Sequence, residues 1–235
     1  RPDGSSFFPV IESLHYEKTL ADKPLGTVVL ITDPYHDRLT VCQIEAEGAI
    51  PMLNEFGISY IPLNEGRILT VYTANQAFLM LMNYRTKELK THGKFKNHPR
   101  FMIKTTASAL SWDEWAKHHE ISVVNVPVGF KEIANIMKKV ELQLRENPEG
   151  EVKVDDVFGN EINLGVQPRL IFAGEESGGM IMGSEDLIES LSGRKAIAMR
   201  EKSATEAILV ASALVASLEE NGKLLSDNLK EVFGI

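Results

Sequence analysis

Cysteine, aromatic residues and long apolar runs are all scarce in this sequence. Cys42 is the only cysteine among 235 residues, so a disulfide within the chain and a cysteine metal cluster are both excluded. No apolar run reaches the roughly 18 residues that a membrane-spanning helix needs. Residues 1–9 also lack the apolar core of a secretory signal. We therefore expect a cytoplasmic protein without a membrane partner.

Positive charge is in deficit as well. The chain has 25 Lys and Arg against 33 Asp and Glu, which gives a net charge of −8. Because affinity for nucleic acids depends on clustered Lys and Arg, we expect no nucleic-acid partner. One basic run, residues 87–100, is more typical of a solvated loop than of a binding patch.

Short β-branched runs alternate with amphipathic patterns along most of the chain, although the first 26 residues show no clear periodicity. Residues 26–32 predict a central buried strand that ends at the turn pair Asp33-Pro34. Ser111 is expected to cap a helix. The other predicted strands cover residues 39–44, 58–61, 68–72, 101–104, 121–128 and 169–173, and the predicted helices cover residues 74–84, 112–119, 131–146, 204–218 and 224–233. With a hairpin or excursion in residues 149–168, this alternation indicates an α/β or α+β fold.

Polar residues after predicted strands give three candidate sites. Asp33 and Asp37, with Arg38 beside them, have the chemistry to hold a divalent ion and a phosphate, although a turn with an Asp37–Arg38 pair is the simpler explanation of these residues alone. Gly174-Glu-Glu-Ser-Gly-Gly179 offers acceptors and a donor for sugar hydroxyls, or is a plain turn. Pro127-Val-Gly-Phe-Lys131 is either an ordinary helix start or an anion site made of a lysine and free helix N–H groups.

These motifs in this order resemble the phosphoglucomutase and phosphomannomutase family of α-D-phosphohexomutases. The order is an Asp-rich loop (33–38), Lys104-Thr105, the stretch 126–131 and then the loop 174–179. The resemblance implies a three-layer mixed-sheet α/β domain of the phosphohexomutase type, together with part of a second similar domain. It also implies an enzyme that interconverts hexose 1-phosphate and hexose 6-phosphate through a phosphoserine and a bisphosphorylated sugar.

The resemblance also assigns site residues. Asp33 and Asp37 would bind Mg²⁺, and Arg38 and Lys131 would act in catalysis. The sugar would contact Gly129, Glu175 and Ser177. Hexose phosphate and hexose bisphosphate are the implied ligands.

Three departures from the family pattern stand out. Tyr35 replaces the middle aspartate of the metal loop, which predicts weakened Mg²⁺ binding. The family's Arg-x-Lys-Asp-Gly pattern is matched to residues 189–193 without its lysine, so that Arg194 or Lys195 would have to compensate. The phosphoserine loop and the last phosphate loop occur nowhere, since Ser108 lies in the wrong place and context.

We therefore interpret the chain as a fragment that is inactive alone and whose missing domains complete the site. Residues 1–72 are expected to be the C-terminal part of domain 2, residues 73–222 domain 3, and residues 223–235 a linker toward domain 4. Two alternatives stay open: a non-catalytic sugar-phosphate-binding paralogue, and an unrelated phosphatase with Asp33 as nucleophile, which Tyr35 disfavours.

Overall fold

The computed structural model describes residue 11 and residues 13–234, and the first of its two larger sheets lies in the N-terminal third of the chain. This sheet is antiparallel throughout, with the strand order β1-β2-β4-β3. Its elements are α1 (Tyr16–Leu20), β1 (Val28–Thr32), β2 (Leu39–Ala46), α2 (Ile50–Glu55), β3 (Ser59–Pro62) and β4 (Arg67–Tyr72).

The second larger sheet is mixed, with the order β10-β9-β5-β6. Strand β5 is parallel to both β6 and β9, whereas β10 is antiparallel to β9. The elements of this part are α3 (Ala74–Thr91), β5 (Arg100–Thr105), α4 (Ser111–His118), β6 (Ser122–Val126), α5 (Phe130–Glu146), β7 (Glu151–Asp155), β8 (Glu161–Val166), β9 (Arg169–Gly174), β10 (Met180–Met182), β11 (Ile188–Glu189), β12 (Lys195–Ala196), α6 (Ala204–Glu220) and α7 (Leu225–Phe233). Strands β7 and β8 form the hairpin expected in residues 149–168, and β11 and β12 form a second hairpin.

Helices cover both faces of the mixed sheet. Successive strand residues point to opposite faces, so Phe172 packs on the side of α3 and α4, with ring centroids 5.5 Å from Phe78 and 5.3 Å from Trp112. Phe101 and Ile103 of β5 instead join a separate core with the buried face of α5. The mixed sheet is therefore the middle of three layers, and the predicted three-layer α/β class is confirmed.

Helix α3 begins at the predicted position and extends further than predicted. The Thr73 hydroxyl accepts the N–H of Gln76 at 3.2 Å, and the Gln76 side chain accepts the N–H of Thr73 at 3.0 Å. This reciprocal pair is a capping box, which satisfies two otherwise free backbone donors. The helix continues to Thr91 because Thr86 and Leu89 extend its buried face.

Three local predictions are wrong. Strand β1 lies at the edge of an antiparallel sheet and is only half-buried, whereas β2 and β4 are central. The basic run is exposed at Lys87, Lys90, Lys94 and Lys96 but is not a single loop, because residues 87–91 are helical and Arg100 is buried in an ion pair with Glu185 at 2.5 Å. Ser111 is the first residue of α4 and does not cap it.

The last two helices pack on the rest of the protein. Leu225, Leu229 and Val232 of α7 are buried. The N–H of Leu225 donates to the side chain of Gln43 at 2.7 Å, so α7 is tied to the first sheet. None of the helices in the described part of the chain has both the length and the apolar character that crossing a membrane requires.

Candidate functional site

Two of the three predicted motifs meet directly in the structure. We call residues 33–38, after β1, the aspartate loop, and residues 174–179, after β9, the glycine loop. The N–H of Leu39 donates to the carbonyl of Gly178 at 3.1 Å, and Arg38 and Gly179 form an isolated antiparallel bridge. Gly178 has φ +98°, a conformation that side chains other than glycine rarely adopt. The backbones of the two loops are therefore joined, although 135 residues or more separate them in sequence.

Lys202 connects the charged side chains of the two loops. Its Nζ lies 3.3 Å from Oδ2 of Asp37 and 3.3 Å from Oε1 of Glu175. The hydroxyl of Ser177 donates to the same Oε1 at 2.7 Å. Glu175 is only 5% exposed, so Lys202 and Ser177 replace the water that its carboxylate would otherwise contact. The predicted residues Asp37, Glu175 and Ser177 thus share one network, centred on a lysine that the sequence analysis did not select.

Gly179 leaves the space that Lys202 occupies. A Cβ atom added at Gly179 would lie 2.6 Å from Cδ of Lys202 and 3.1 Å from Oε1 of Glu175. The first of these distances is shorter than real Cβ contacts. Glycine at this position therefore allows the lysine to pass close to the backbone of the loop.

The third motif borders the same network through its middle residue. The ring of Phe130 lies 5.7 Å from Nζ of Lys202, within the range of a cation–π contact. Gly129 precedes α5 with φ +125°, and Lys131 follows on its first turn as an exposed side chain. Lys131 has no hydrogen bond or ion pair within the described part of the chain, so its charge is available to a ligand.

Asp33 and Arg38 have different environments from the buried network. Oδ1 of Asp33 accepts the N–H groups of Asp37 at 3.0 Å and of Arg38 at 3.2 Å, which closes the turn of the aspartate loop. Desolvation acts to raise the pKa of Asp33, but hydrogen bonds from Asp37 and Arg38 and the charge of Arg38 outweigh it and lower the pKa. The Arg38 side chain is 47% exposed, with Nε 3.9 Å from Oδ1 of Asp37.

The aspartate loop as it stands does not fit a Mg²⁺ ion. Magnesium needs several convergent oxygen ligands in octahedral geometry, yet Asp33 is engaged in the turn and Asp37 is paired with Lys202. Tyr35 is 88% exposed and adds no carboxylate. Among the residues that the structure describes, no cluster of three or more His, Cys, Asp and Glu side chains has the arrangement of a metal site.

His36 fixes the aspartate loop to the start of α6. Its ring nitrogens lie 3.2 Å from the Thr32 hydroxyl and 3.0 Å from the Thr205 hydroxyl. Its carbonyl accepts the N–H of Ala204 at 3.1 Å. His36 has a positive φ of 55°, which is uncommon for a residue other than glycine. This histidine supports the position of Asp37 and Lys202, and it was not among the predicted site residues.

The match to the family's Arg-x-Lys pattern has to be moved. Residues 189–193 lie in the β11–β12 hairpin, where Arg194 pairs with Glu141 at 3.5 Å instead of approaching the glycine loop. Lys202 occupies the place beside Glu175. Arg200-Glu-Lys202, directly before α6, has the Arg-x-Lys spacing and is the signal by which Lys202 could have been found.

The end of β5 supports the other acidic residue of the glycine loop. The Thr105 hydroxyl donates to Glu176 at 2.6 Å and also contacts the Ser108 hydroxyl at 2.9 Å. Lys104 is 2% exposed and pairs with Asp113, and its Nζ donates to the carbonyl of Ala109 at 3.0 Å. Thr105 therefore fixes Glu176 of the glycine loop to the end of β5, whereas Lys104 fixes the segment between β5 and α4.

Comparisons with known proteins agree with this architecture. The family described as phosphoglucomutase/phosphomannomutase, alpha/beta/alpha domain III, matches residues 73–234. A structure assigned as a phosphomannomutase from Thermus thermophilus is similar over 93% of this chain and 33% of its own, with a TM-score of 0.51 and 19% identity. N-acetylphosphoglucosamine mutase of Aspergillus fumigatus, in complex with glucose 1,6-bisphosphate, is similar over 89% of this chain and 33% of its own, with a TM-score of 0.51 and 10% identity.

No curated protein matches the chain. The two structural likenesses are below 25% identity, so they support the fold alone, and the chain spans about a third of the length of these structures. The family match covers most of the chain and includes Lys202, the motif around Gly129 and the whole glycine loop. The chain belongs to the phosphoglucomutase/phosphomannomutase family.

Proposed function

We propose that this chain supplies the sugar-recognition part of a phosphohexomutase that interconverts hexose 1-phosphate and hexose 6-phosphate. The observation that carries the proposal is the network of Glu175, Ser177 and Lys202 at the end of β9. Oε1 of Glu175 is engaged by Ser177 and Lys202, whereas Oε2 has no hydrogen-bond partner within the described part of the chain. That oxygen can accept a hydrogen bond from a sugar hydroxyl, and the Ser177 oxygen can accept one from a neighbouring hydroxyl.

The surrounding cations suit the phosphate groups of such a ligand. Lys131 and Arg38 are exposed and have at most one weak ion-pair partner, so both can donate to phosphate oxygens without first losing a buried contact. We propose that Lys131 and Arg38 bind the phosphate groups of the ligand. Lys202 pairs with Glu175 and orients its carboxylate, so that the sugar would meet an acceptor in a fixed position.

The phosphoserine and the bisphosphorylated intermediate are proposed from family membership. The serine loop motif is absent from these 235 residues, and we expect no mutase turnover by this chain alone. Residues 1–72 are proposed to belong to domain 2, residues 73–222 to domain 3, and residues 223–235 to a linker. The first ten residues, Glu12 and Ile235 lie outside the described part of the chain.

The test is Glu175→Ala in the complete enzyme, assayed with the 1-phosphates of glucose, mannose and N-acetylglucosamine. Loss of a charged hydrogen bond and misplacement of the sugar should lower kcat/KM by about a hundredfold or more. Glu189→Ala, at an exposed position of the β11–β12 hairpin, is the matched control and should leave kcat/KM unchanged. Unchanged kcat/KM in Glu175→Ala would contradict the proposal.

A non-catalytic sugar-phosphate-binding protein is the second candidate, because the aspartate loop does not fit Mg²⁺. The complete protein would then bind hexose phosphates without turning them over. Calorimetry with glucose 1-phosphate, beside an activity assay in the presence of glucose 1,6-bisphosphate, separates the two candidates. Binding that depends on Glu175 with no turnover would favour this second candidate.

A further inference from the structure

A second cleft, of about 650 Å³, lies between the C-terminal half of α5 and the β11–β12 hairpin. It shares no lining residue with the aspartate loop, the glycine loop or Lys202. Its volume falls within the range of small-molecule sites. The cleft is therefore a candidate ligand site that the proposed sugar site does not explain.

Positive charge is concentrated around this cleft. Five cationic side chains line it, against one carboxylate, that of Glu141; the cations are Lys138, Arg145, Arg194, Lys195 and Arg200. The formal charge of this lining is therefore +4, within a chain whose net charge is −8. A cluster of one sign, opposite to the charge of the whole protein, indicates a ligand of the complementary sign.

The one carboxylate is already used by the protein. Glu141 is 7% exposed, and its Oε1 accepts the N–H of Ile197 at 3.2 Å. Its Oε2 receives both Arg200 and Arg194, the latter at 3.5 Å. These contacts fix the hairpin to α5 and explain two of the five cations. Within the described part of the chain, the other three cations have no ion-pair partner apart from an exposed Arg145–Glu146 pair at 3.9 Å.

The rest of the lining is apolar. Side chains of α5, of the segment after it and of the hairpin form this part of the wall: Leu142, Leu144, Pro148, Leu187 and Ile197. A wholly inorganic anion would leave this surface uncovered, whereas an uncharged apolar molecule would leave the cations unpaired. The lining therefore fits a molecule that has an anionic end and an apolar body.

We propose that this cleft binds a small organic phosphate with an apolar or aromatic body. Arginine guanidinium groups match phosphate oxygens in bidentate geometry, and both Arg194 and Arg200 border the cleft. Arg194 is 53% exposed, so one side of its guanidinium remains accessible while the other contacts Glu141. The cleft shares no residue with the proposed sugar site, so ligand binding at one does not depend on ligand binding at the other.

The proposal can be tested by NMR titration of the ¹⁵N-labelled 235-residue chain with phenyl phosphate. The backbone amides of Leu187 and Ile197 are the reporters of the cleft. We expect saturable shifts of both signals, whereas inorganic phosphate and phenol, which each lack one half of the ligand, should bind at least about tenfold more weakly. Equal binding of inorganic phosphate or of phenol, or no shift with phenyl phosphate, would overturn the proposal.

Charge variants assign the binding to the cleft. Arg194→Ala/Lys195→Ala, on the exposed hairpin, and Arg145→Ala, on α5, should each weaken phenyl phosphate binding by about tenfold or more, because charged hydrogen bonds are lost. Lys117→Ala removes an exposed charge that does not line the cleft and should bind like the wild type. Glu175→Ala should also bind like the wild type, which separates this result from the fate of the sugar site. Wild-type affinity in both cleft variants would refute the assignment.

Discussion

Lys202 is the residue whose removal tests the description of the site most directly. Its side chain is 14% exposed and lies 3.3 Å from each of two carboxylates, those of Asp37 and Glu175. With an effective dielectric constant of 20, each pair has a gross Coulomb energy of about 5 kcal/mol, most of which offsets the desolvation of the charges. The net effect of removing the lysine is therefore smaller than this sum.

We expect Lys202→Met to lower the free energy of unfolding by about 3 kcal/mol, because it leaves the buried Glu175 without its counter-charge. This loss is at the low end for buried pairs because Asp37, the second partner of Lys202, is 25% exposed. Asp37 also keeps another cation nearby, since Nε of Arg38 lies 3.9 Å from its Oδ1. A Lys202→Met/Glu175→Gln double variant removes the orphaned charge and should recover about half of the loss. Equilibrium unfolding in urea at pH 7, followed by circular dichroism, measures both values.

The Lys153–Glu161 pair provides the control. Its atoms are closer, at 2.9 Å, but the two side chains are 45% and 61% exposed. Lys153→Met should therefore cost less than about 0.5 kcal/mol, as is usual for surface pairs. Equal losses in Lys202→Met and Lys153→Met, or no recovery in the double variant, would show that Lys202 does not neutralise a buried carboxylate.

Three further predictions concern the buried carboxylate of β2, the glycine loop and the aspartate loop. Burial raises the pKa of Glu45 above its ordinary value of 4.5, and hydrogen bonds from Ser226 and Tyr72 oppose this only in part. Protonation of Glu45 therefore stabilises the folded state fully below about pH 4.5, and this stabilisation is lost as the pH rises through the higher folded-state pKa. Glu45→Gln should therefore flatten the fall of Tm above about pH 5, and an unchanged pH profile in thermal melts would contradict this. Gly179→Ala should destabilise the fold by about 1–3 kcal/mol in urea unfolding, because its Cβ would meet Lys202, whereas Gly48→Ala, with open space around its Cβ, should cost little. In calorimetry we expect weak Mg²⁺ binding by the wild type, stronger binding by Tyr35→Asp and no gain in Tyr35→Phe. Tight binding by the wild type, with no gain in Tyr35→Asp, would refute this expectation.

The sequence was sufficient for the element pattern because most elements carry a local signal. The amphipathic spacing of α5 is an example, and it produces the expected helix. The position of β1 was not accessible in this way. An apolar β-branched run is equally compatible with a central and an edge strand, and its place depends on pairing with β2, which is not encoded locally.

The site was only partly predictable for a similar reason. Glu175 and Ser177 belong to a compact motif, so their chemistry is visible in sequence, and the structure brings them together. Lys202 lies 27 residues after Glu175 and beyond a hairpin, so its role depends on how the hairpin returns the chain to the glycine loop. The missed lysine shows that motif matching by distance along the chain fails where a hairpin lies between the parts of a site.

The contacts of the aspartate loop determine how the two parts of the chain can move. The N–H of Leu39, the residue after the loop, donates to the carbonyl of Gly178, and the carbonyl of His36 in the loop accepts the N–H of Ala204. The hydrogen bond from Leu225 to Gln43 ties α7 to the same sheet at a second place. Rotation of the first sheet relative to the mixed sheet would break these bonds and expose Glu175, which is costly for buried polar groups. In a larger protein, a closure motion around the sugar should therefore occur at other boundaries, with residues 28–233 moving as one body.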